Sequence, residues 1–210
     1  MNNKIKAVIF DMDGVLIEAK EWHYDALNMA LAHFGYTINR HEHLTSYNGL
    51  PTKKKLEMLS LEKGLPLKLH GFINKLKQKY TMDIIYTQCR PIFQHQYALS
   101  QLKQNGYKVV VASNSIRQTI TTMMEKADLA SFLDFYLSNE DVKHAKPHPE
   151  IYITAINQLN LQPSECVIVE DSEHGINAAI ASGAYVMKVS GTEDVSLANI
   201  TNFIKGLNND

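Results

Sequence analysis

Two carboxylates stand two residues apart in Phe10-Asp11-Met12-Asp13-Gly14-Val15, directly after the apolar run Ile5–Phe10. Side chains two apart in extended chain point the same way, so Asp11 and Asp13 can address one site. Gly14 permits a sharp backbone turn after them. Adjacent carboxylates repel unless a cation or a shared proton holds them; taken alone, the pattern also serves as an acidic turn ending a strand. Three further groups follow runs of the same kind. Ser113-Asn114-Ser115 precedes a helical pattern, where hydroxyl and N–H groups suit a phosphate and equally suit an ordinary N-cap. Lys146-Pro147-His148-Pro149-Glu150 sets a lysine on a stiff, non-helical stretch, with Pro149 placed to open the next helix. A fixed ammonium there would neutralise a phosphoryl oxygen and an attacking carboxylate together; standing alone it would read as a surface lysine. Val169-Glu170-Asp171-Ser172 ends in two carboxylates, oxygen ligands of the kind magnesium takes, or a solvated turn. Four such groups, each at a strand end or just after one, are far less expected by chance than any one.

The elements that must position these residues are short and rich in β-branched residues. Ile5–Phe10, Tyr107–Ala112, Cys166–Val169 and Tyr185–Val189 read as buried parallel strands, with Phe135–Leu137 a weaker fifth. Helical spacing falls between them, at Phe93–Asn105, Arg117–Lys126, Pro149–Leu159 and Gly175–Ser182. This alternation predicts an α/β domain with a parallel, Rossmann-like sheet, whose right-handed crossovers gather the strand ends on one edge where ligands bind. The order is interrupted once, from about Ile17 to Ile85, by helical patterns at Trp22–Phe34, Lys53–Lys63 and Phe72–Lys79. The expected division is a core of residues 1–16 and 87–210 and a helical insertion of residues 17–86. Gly206–Asp210 is expected to fray.

Composition narrows the function classes. The 210 residues carry a formal net charge of −1, which gives no global basic surface for nucleic acid and no polybasic membrane patch. Only Cys89 and Cys166 are present, without paired metal spacing, so a reducing compartment fits. The N-terminal apolar run is too short for a signal peptide, and no apolar stretch approaches a membrane span; a soluble, cytoplasmic protein is expected. His41-x-His43 has no accompanying Cys or carboxylate set and is not read as a metal site, and His148 and His174 are read as exposed or supporting residues. Neither a GxxxxGK loop nor a GxGxxG after a strand is present.

Taken in order, DMDGV, SNS, KPHPEIY and EDSEHGI resemble the haloacid dehalogenase-like hydrolase superfamily, and Lys146 to Gly191 is similar to its β-phosphoglucomutase and small-metabolite phosphatase branch. The likeness covers essentially the whole chain, and the placement of the insertion is similar to the family's type 1 cap. The resemblance implies Asp11 as nucleophile forming an aspartyl phosphate and Asp13 as the acid and then the base. It implies Ser113 and Lys146 as holders of the transferring phosphoryl group, with the Asn114 backbone helping. It also implies Mg2+ bound by Asp11, the Asp13 carbonyl and Asp171, with Glu170 as a further direct or water-mediated ligand. Asp13 itself separates phosphatases and mutases from dehalogenases and transport ATPases.

The cap matches less closely. Glu21-Trp22-His23 resembles the mutase segment whose histidine lies near the acid, so His23 either tunes Asp13 or is a partly exposed helix residue. Glu18-Ala19 stands where relatives have a short hydroxyl side chain. Tyr47 to Thr52 resembles the specificity loop, with Gly49 and Thr52 as candidate substrate contacts, but the arginine common after that glycine is absent. Lys53, Lys54 and Lys55 follow and are read as a solvated basic face; Arg90 and Arg117 stay unassigned. Without a bidentate arginine a bisphosphate would be poorly held. The expectation is therefore a phosphatase acting on a small phosphorylated metabolite, a sugar phosphate or similar, as a monomer or weak dimer. The alternative is a phosphoglucomutase-like isomerase using the same residues.

Overall fold

A computed structural model describes residues 5–47 and 50–209. In chain order the elements are β1 (Ala7–Phe10), α1 (Lys20–Ala32), α2 (Arg40–Glu42), α3 (Thr52–Lys63), α4 (His70–Gln88), α5 (Phe93–Gln104), β2 (Lys108–Ala112), α6 (Arg117–Lys126), β3 (Phe135–Leu137), α7 (Glu150–Gln158), β4 (Cys166–Glu170), α8 (Glu173–Ala181), β5 (Tyr185–Lys188) and α9 (Leu197–Asn209). They form two compact units, Met1–Glu18 with Arg90–Asp210, and Ala19–Cys89.

In the first unit the five strands are parallel, in the order β3-β2-β1-β4-β5. Each of the three middle strands can be apolar on both faces because helices cover both faces of such sheets. Ala7, Ile9, Val110, Ala112, Cys166 and Ile168 share one face and pack with Ile151, Tyr152, Ala155 and Ile156 of α7 and Ala178 and Ala179 of α8. The residues between them, Val8, Phe10, Val109, Val111, Val167 and Val169, are fully buried on the other face. Burying each such Val or Ile contributes about 1.5–3 kcal/mol. β1 lies at the centre, paired with β2 and β4, so its carboxyl end is flanked by theirs.

The ladder continues past the strand ends and fixes the first functional residues. The Asp11 N–H donates to the Val169 carbonyl at 3.0 Å, and the Ser113 N–H to the Leu137 carbonyl at 3.0 Å. The Val189 N–H reaches the Glu170 carbonyl at 2.9 Å. Beyond Asp11 the chain folds sharply: Gly14, at φ +92°, donates to the Ile17 carbonyl at 2.7 Å. That backbone conformation is the one glycine adopts without penalty.

The second unit is helical. α4 packs along α1 and against α3, around Leu27, Leu31, Ile38, Tyr47, Leu56, Leu59 and Ile73. Asn39 closes a capping box with Glu42 at the start of α2. The buried positions of α4 are Ile73, Lys77, Thr81 and Ile85, one stripe at four-residue spacing.

Two expectations need correction. α4 extends from His70 to Gln88, well beyond the predicted Phe72–Lys79. Of the segment Gly206–Asp210 expected to fray, residues 206–209 form instead the end of α9, which buries Ile200 and Ile204, and Asp210 lies outside the described residues.

Candidate active site

At the carboxyl ends of β1, β2 and β4 the first unit gathers Asp11, Asp13, Ser113, Asn114, Ser115, Lys146, Glu170 and Asp171. Lys146 is the hub. Its ammonium donates to Asp11 Oδ1 at 2.6 Å, to Glu170 Oε1 at 2.7 Å and to the Ala112 carbonyl at 2.9 Å. An ammonium has three protons, and these three acceptors use them all. The side chain is 3% exposed, far from the surface lysine that its position alone would allow.

Two neighbours hold the lysine. The Asn114 side chain accepts from the Lys146 N–H at 3.0 Å and donates to the Lys146 carbonyl at 3.3 Å. Asn114 therefore clasps the lysine segment through its side chain, a role its place in the phosphate motif did not suggest. The peptide bond that follows, Lys146–Pro147, is cis. The Tyr152 ring lies 4.7 Å beneath the ammonium, and its hydroxyl donates to Glu170 Oε1 at 2.7 Å. Tyr152 was part of the KPHPEIY motif, but only the geometry of α7 reveals its contact.

Glu170 is fully buried and saturated with donors. Oε1 takes Lys146 and Tyr152; Oε2 takes the Asp171 and Ser172 N–H groups at 3.0 and 3.2 Å and the Ser172 hydroxyl at 3.2 Å. This arrangement fixes the Glu170 carboxylate beside Asp11 and Asp171. Gly175 makes it possible, since a Cβ there would lie 1.8 Å from Oε1.

Asp13 has a different environment from Asp11. Its Oδ2 accepts from the Ser115 hydroxyl at 2.9 Å and lies 3.5 Å from the Ser113 hydroxyl. Ser113 Oγ in turn accepts from the Ser115 N–H at 3.1 Å. Ser115 stands inside the SNS group, and reading by motif passed over its contact with Asp13.

The electrostatics follow from burial. Removal from water pushes the Asp11 carboxyl well above its ordinary range against the pull of Lys146, and the Glu170 and Asp13 carboxylates push it further up. Burial opposes the charge on Lys146, but Asp11 and Glu170 outweigh it and raise its pKa. Burial also opposes the charge on Glu170, and Lys146 outweighs it, so Glu170 stays ionised. The Lys146 ammonium therefore serves two carboxylates, Asp11 and Glu170.

The grouping of these carboxylates is the test of whether a cation fits. Asp11, Glu170 and Asp171 each offer a carboxylate oxygen, all within 4.8 Å of one another. Two unit negative charges at that separation repel by about 3.5 kcal/mol at an effective dielectric of ~20. A hard, divalent cation reverses that cost, and an all-oxygen donor set is what it requires. The residues fit.

Of the remaining sequence candidates, His23 and Thr52 belong to the helical unit, and Gly49 lies outside the described residues. His23 Nδ1 accepts from the buried Lys77 ammonium at 3.1 Å. Lys53 and Lys54 are exposed as expected, but Lys55 is buried. His43 is a packing residue, its ring 4.5 Å from Tyr24, with its pKa lowered by burial and by Lys55. Arg117 is occupied by Asp141 and lies over Tyr136.

Residues 8–189 match the family model described as haloacid dehalogenase-like hydrolase. Among curated proteins, the chain is 27% identical over 184 residues to the phosphorylated carbohydrates phosphatase of Thermotoga maritima, spanning 85% of this chain and 82% of that protein. It is 27% identical over 202 residues to pyrophosphatase PpaX of Bacillus mycoides, spanning 90% and 85%. Among solved structures, a β-phosphoglucomutase from Clostridium difficile superposes with a TM-score of 0.85 over 98% of this chain and all of that one, at 21% identity, and so shares the fold.

Proposed function

Because the chain belongs to the haloacid dehalogenase-like hydrolase family, we propose that it is a phosphatase that hydrolyses a small phosphorylated metabolite, a sugar phosphate or similar, by way of Asp11. The observation that carries this reading is the contrast between two carboxylates at the end of one strand. Asp11 is paired with a buried ammonium at 2.6 Å, whereas Asp13 is held by a serine hydroxyl at 2.9 Å. Carboxylates in such different surroundings take different roles, one as nucleophile and the other as acid and base.

In the first step an Asp11 oxygen forms a bond to phosphorus while the bond from phosphorus to the ester oxygen breaks. Asp13 gives its proton to the departing oxygen, which leaves as an alcohol. In the second step Asp13 takes a proton from water as that water's oxygen attacks phosphorus. The Asp11–phosphorus bond breaks and inorganic phosphate departs. Lys146 keeps Asp11 oriented and neutralises charge on the phosphoryl oxygens, and the Ser113 hydroxyl donates to one of them. Asp11, Asp171 and the Asp13 carbonyl are the groups that would hold Mg2+, with Glu170 directing Lys146 and the Asp171 backbone; the ion supplies neutralisation between the anionic nucleophile and the anionic substrate. The phosphatase of Thermotoga maritima, named for phosphorylated carbohydrates, supports the substrate class. Thr52, where an arginine would grip a second phosphate, supports hydrolysis over isomerisation.

The test is phosphate release from a panel of phosphorylated metabolites with Mg2+, with Asp11→Asn as control and hexose 1-phosphates followed for isomerisation. Strong release from one or a few compounds, absent in the variant, is expected. Isomerised product without free phosphate would replace this reading with a mutase, and undiminished release by Asp11→Asn would remove the nucleophile assignment.

A further inference from the structure

On the surface of the first unit, apart from the carboxylate cluster, His144, His148 and Glu150 form a second group whose ligand atoms all lie within 4.8 Å of one another. His144 Nδ1 is 2.8 Å from Glu150 Oε2, and His148 Nδ1 is 3.9 Å from the same oxygen. The two imidazole rings are 4.7 Å apart between centroids. From this geometry we infer that the segment His144–Glu150 is a binding site for a d-block divalent cation such as Zn2+, held by the two imidazoles and the Glu150 carboxylate.

The chemistry of the donors separates this site from the first. Two nitrogens and one oxygen suit zinc, nickel or copper, whereas the all-oxygen cluster at Asp11 suits magnesium. Tetrahedral coordination with bonds of roughly 2.0–2.1 Å places neighbouring ligand atoms about 3.3 Å apart. The observed 2.8 and 3.9 Å lie on either side of that spacing, so small side-chain rotations suffice.

The local backbone prepares the ligands. Glu150 is pinned from both sides, Oε1 accepting from the Lys143 N–H at 2.9 Å and Oε2 from the His144 N–H at 3.0 Å. The Glu150 N–H donates to His148 Nδ1 at 3.3 Å, which requires that nitrogen to carry a lone pair, directed here at the Glu150 amide and close to its carboxylate. His144 Nδ1 would give up its proton on binding, as metal ligation demands. Both histidine side chains are more than half exposed, at 64% and 53%, which leaves the remaining coordination positions to water. The two thiols do not compete, because Cys89 and Cys166 are buried. Between the two histidines lie Ala145, Lys146 and Pro147, so a bound ion would close a short chelate ring across the residues that carry the active-site ammonium.

The experiment is titration of ZnCl2 into the full chain by calorimetry, with Mg2+ saturating so that the carboxylate cluster is already occupied. His144→Ala, His148→Ala and Asp171→Asn are titrated alongside, and thermal melts without zinc confirm that each variant folds. One equivalent of zinc is expected to bind the wild type, more than about tenfold more weakly to either histidine variant, and unchanged to Asp171→Asn. Zinc should also raise the melting temperature of the wild type but not of His148→Ala. Absence of zinc uptake by the Mg2+-saturated wild type would overturn the inference. So would uptake undiminished in both histidine variants, or lost in Asp171→Asn.

Discussion

Gly175→Ala sets helix propensity directly against the geometry of the site. Position 175 lies in the first turn of α8, where alanine in place of glycine ordinarily favours a helix by about 1 kcal/mol. Here the new Cβ would stand 1.8 Å from Glu170 Oε1 and 2.3 Å from Oε2. Ordinary carbon contacts need about 3.5 Å, so the carboxylate would have to move by roughly 1.5 Å. The helix offers no simple retreat, since Ala178 and Ala179 are fully buried against the sheet. Such a movement breaks the 2.7 Å pair with Lys146, and breaking a buried ion pair costs about 3–5 kcal/mol. After the propensity gain, the net loss is about 2–4 kcal/mol. For a chain of this size that lowers Tm by about 4–16 °C. Thermal melts followed by circular dichroism measure it, and phosphatase turnover should fall as Lys146 loses its anchor. A variant that melts at or above the wild-type temperature and turns over normally would refute the reasoning, because propensity would then have won over the close approach.

Other expectations follow from single contacts. Tyr152→Phe removes a buried hydroxyl that donates to Glu170 at 2.7 Å and should cost about 2 kcal/mol, read from the denaturant midpoint; an unchanged midpoint would mean the hydroxyl contributes nothing. Burial pushes the Cys166 thiol up to about 12, so at neutral pH it should resist alkylation in the folded protein and react once the chain is unfolded. Modification of Cys166 in the native state, located by peptide mass spectrometry, would contradict this. Burial raises Asp134, but Lys103, the Val109 N–H and Lys108 outweigh it and hold its carboxyl below the ordinary range. Its stabilising contribution is therefore present above the unfolded-state pKa of about 4 and is lost as pH falls through the lower folded value. Asp134→Asn should flatten the acid limb of the stability curve.

Much of this architecture was legible because the strands announce themselves. Val109–Val111 and Val167–Val169 are continuous β-branched runs, buried on both faces, and the acidic groups fall immediately after such runs. α4 was legible only in part. Its buried stripe includes Lys77 and Thr81, polar residues that interrupt the apolar period, and its last turns contain Ile84, Ile85 and Thr87, which favour strands. α9 was obscured by its asparagines and Gly206, weak helix formers that become helical when Ile200 and Ile204 are buried. In the site, residue types were readable but side-chain direction was not. Nothing in SNS says that Ser115 faces Asp13, or that the Asn114 side chain turns back to clasp Lys146. The donors that saturate Glu170 come from Lys146, from α7 and from its own loop, contacts that only the packed structure brings together. The His144–Glu150 group escaped for the same reason, since five residues separate its ends.

The most direct test of the central claim is to trap the phosphoryl group on the protein. A good leaving-group substrate labelled at phosphorus is mixed with the enzyme and Mg2+, and the reaction is quenched in acid within one turnover. Label carried by the peptide that contains Asp11, released by hydroxylamine and absent from Asp11→Asn, is the result expected for an aspartyl phosphate. Normal phosphate release with no label on the protein at any time, or label confined to another residue, would contradict the account.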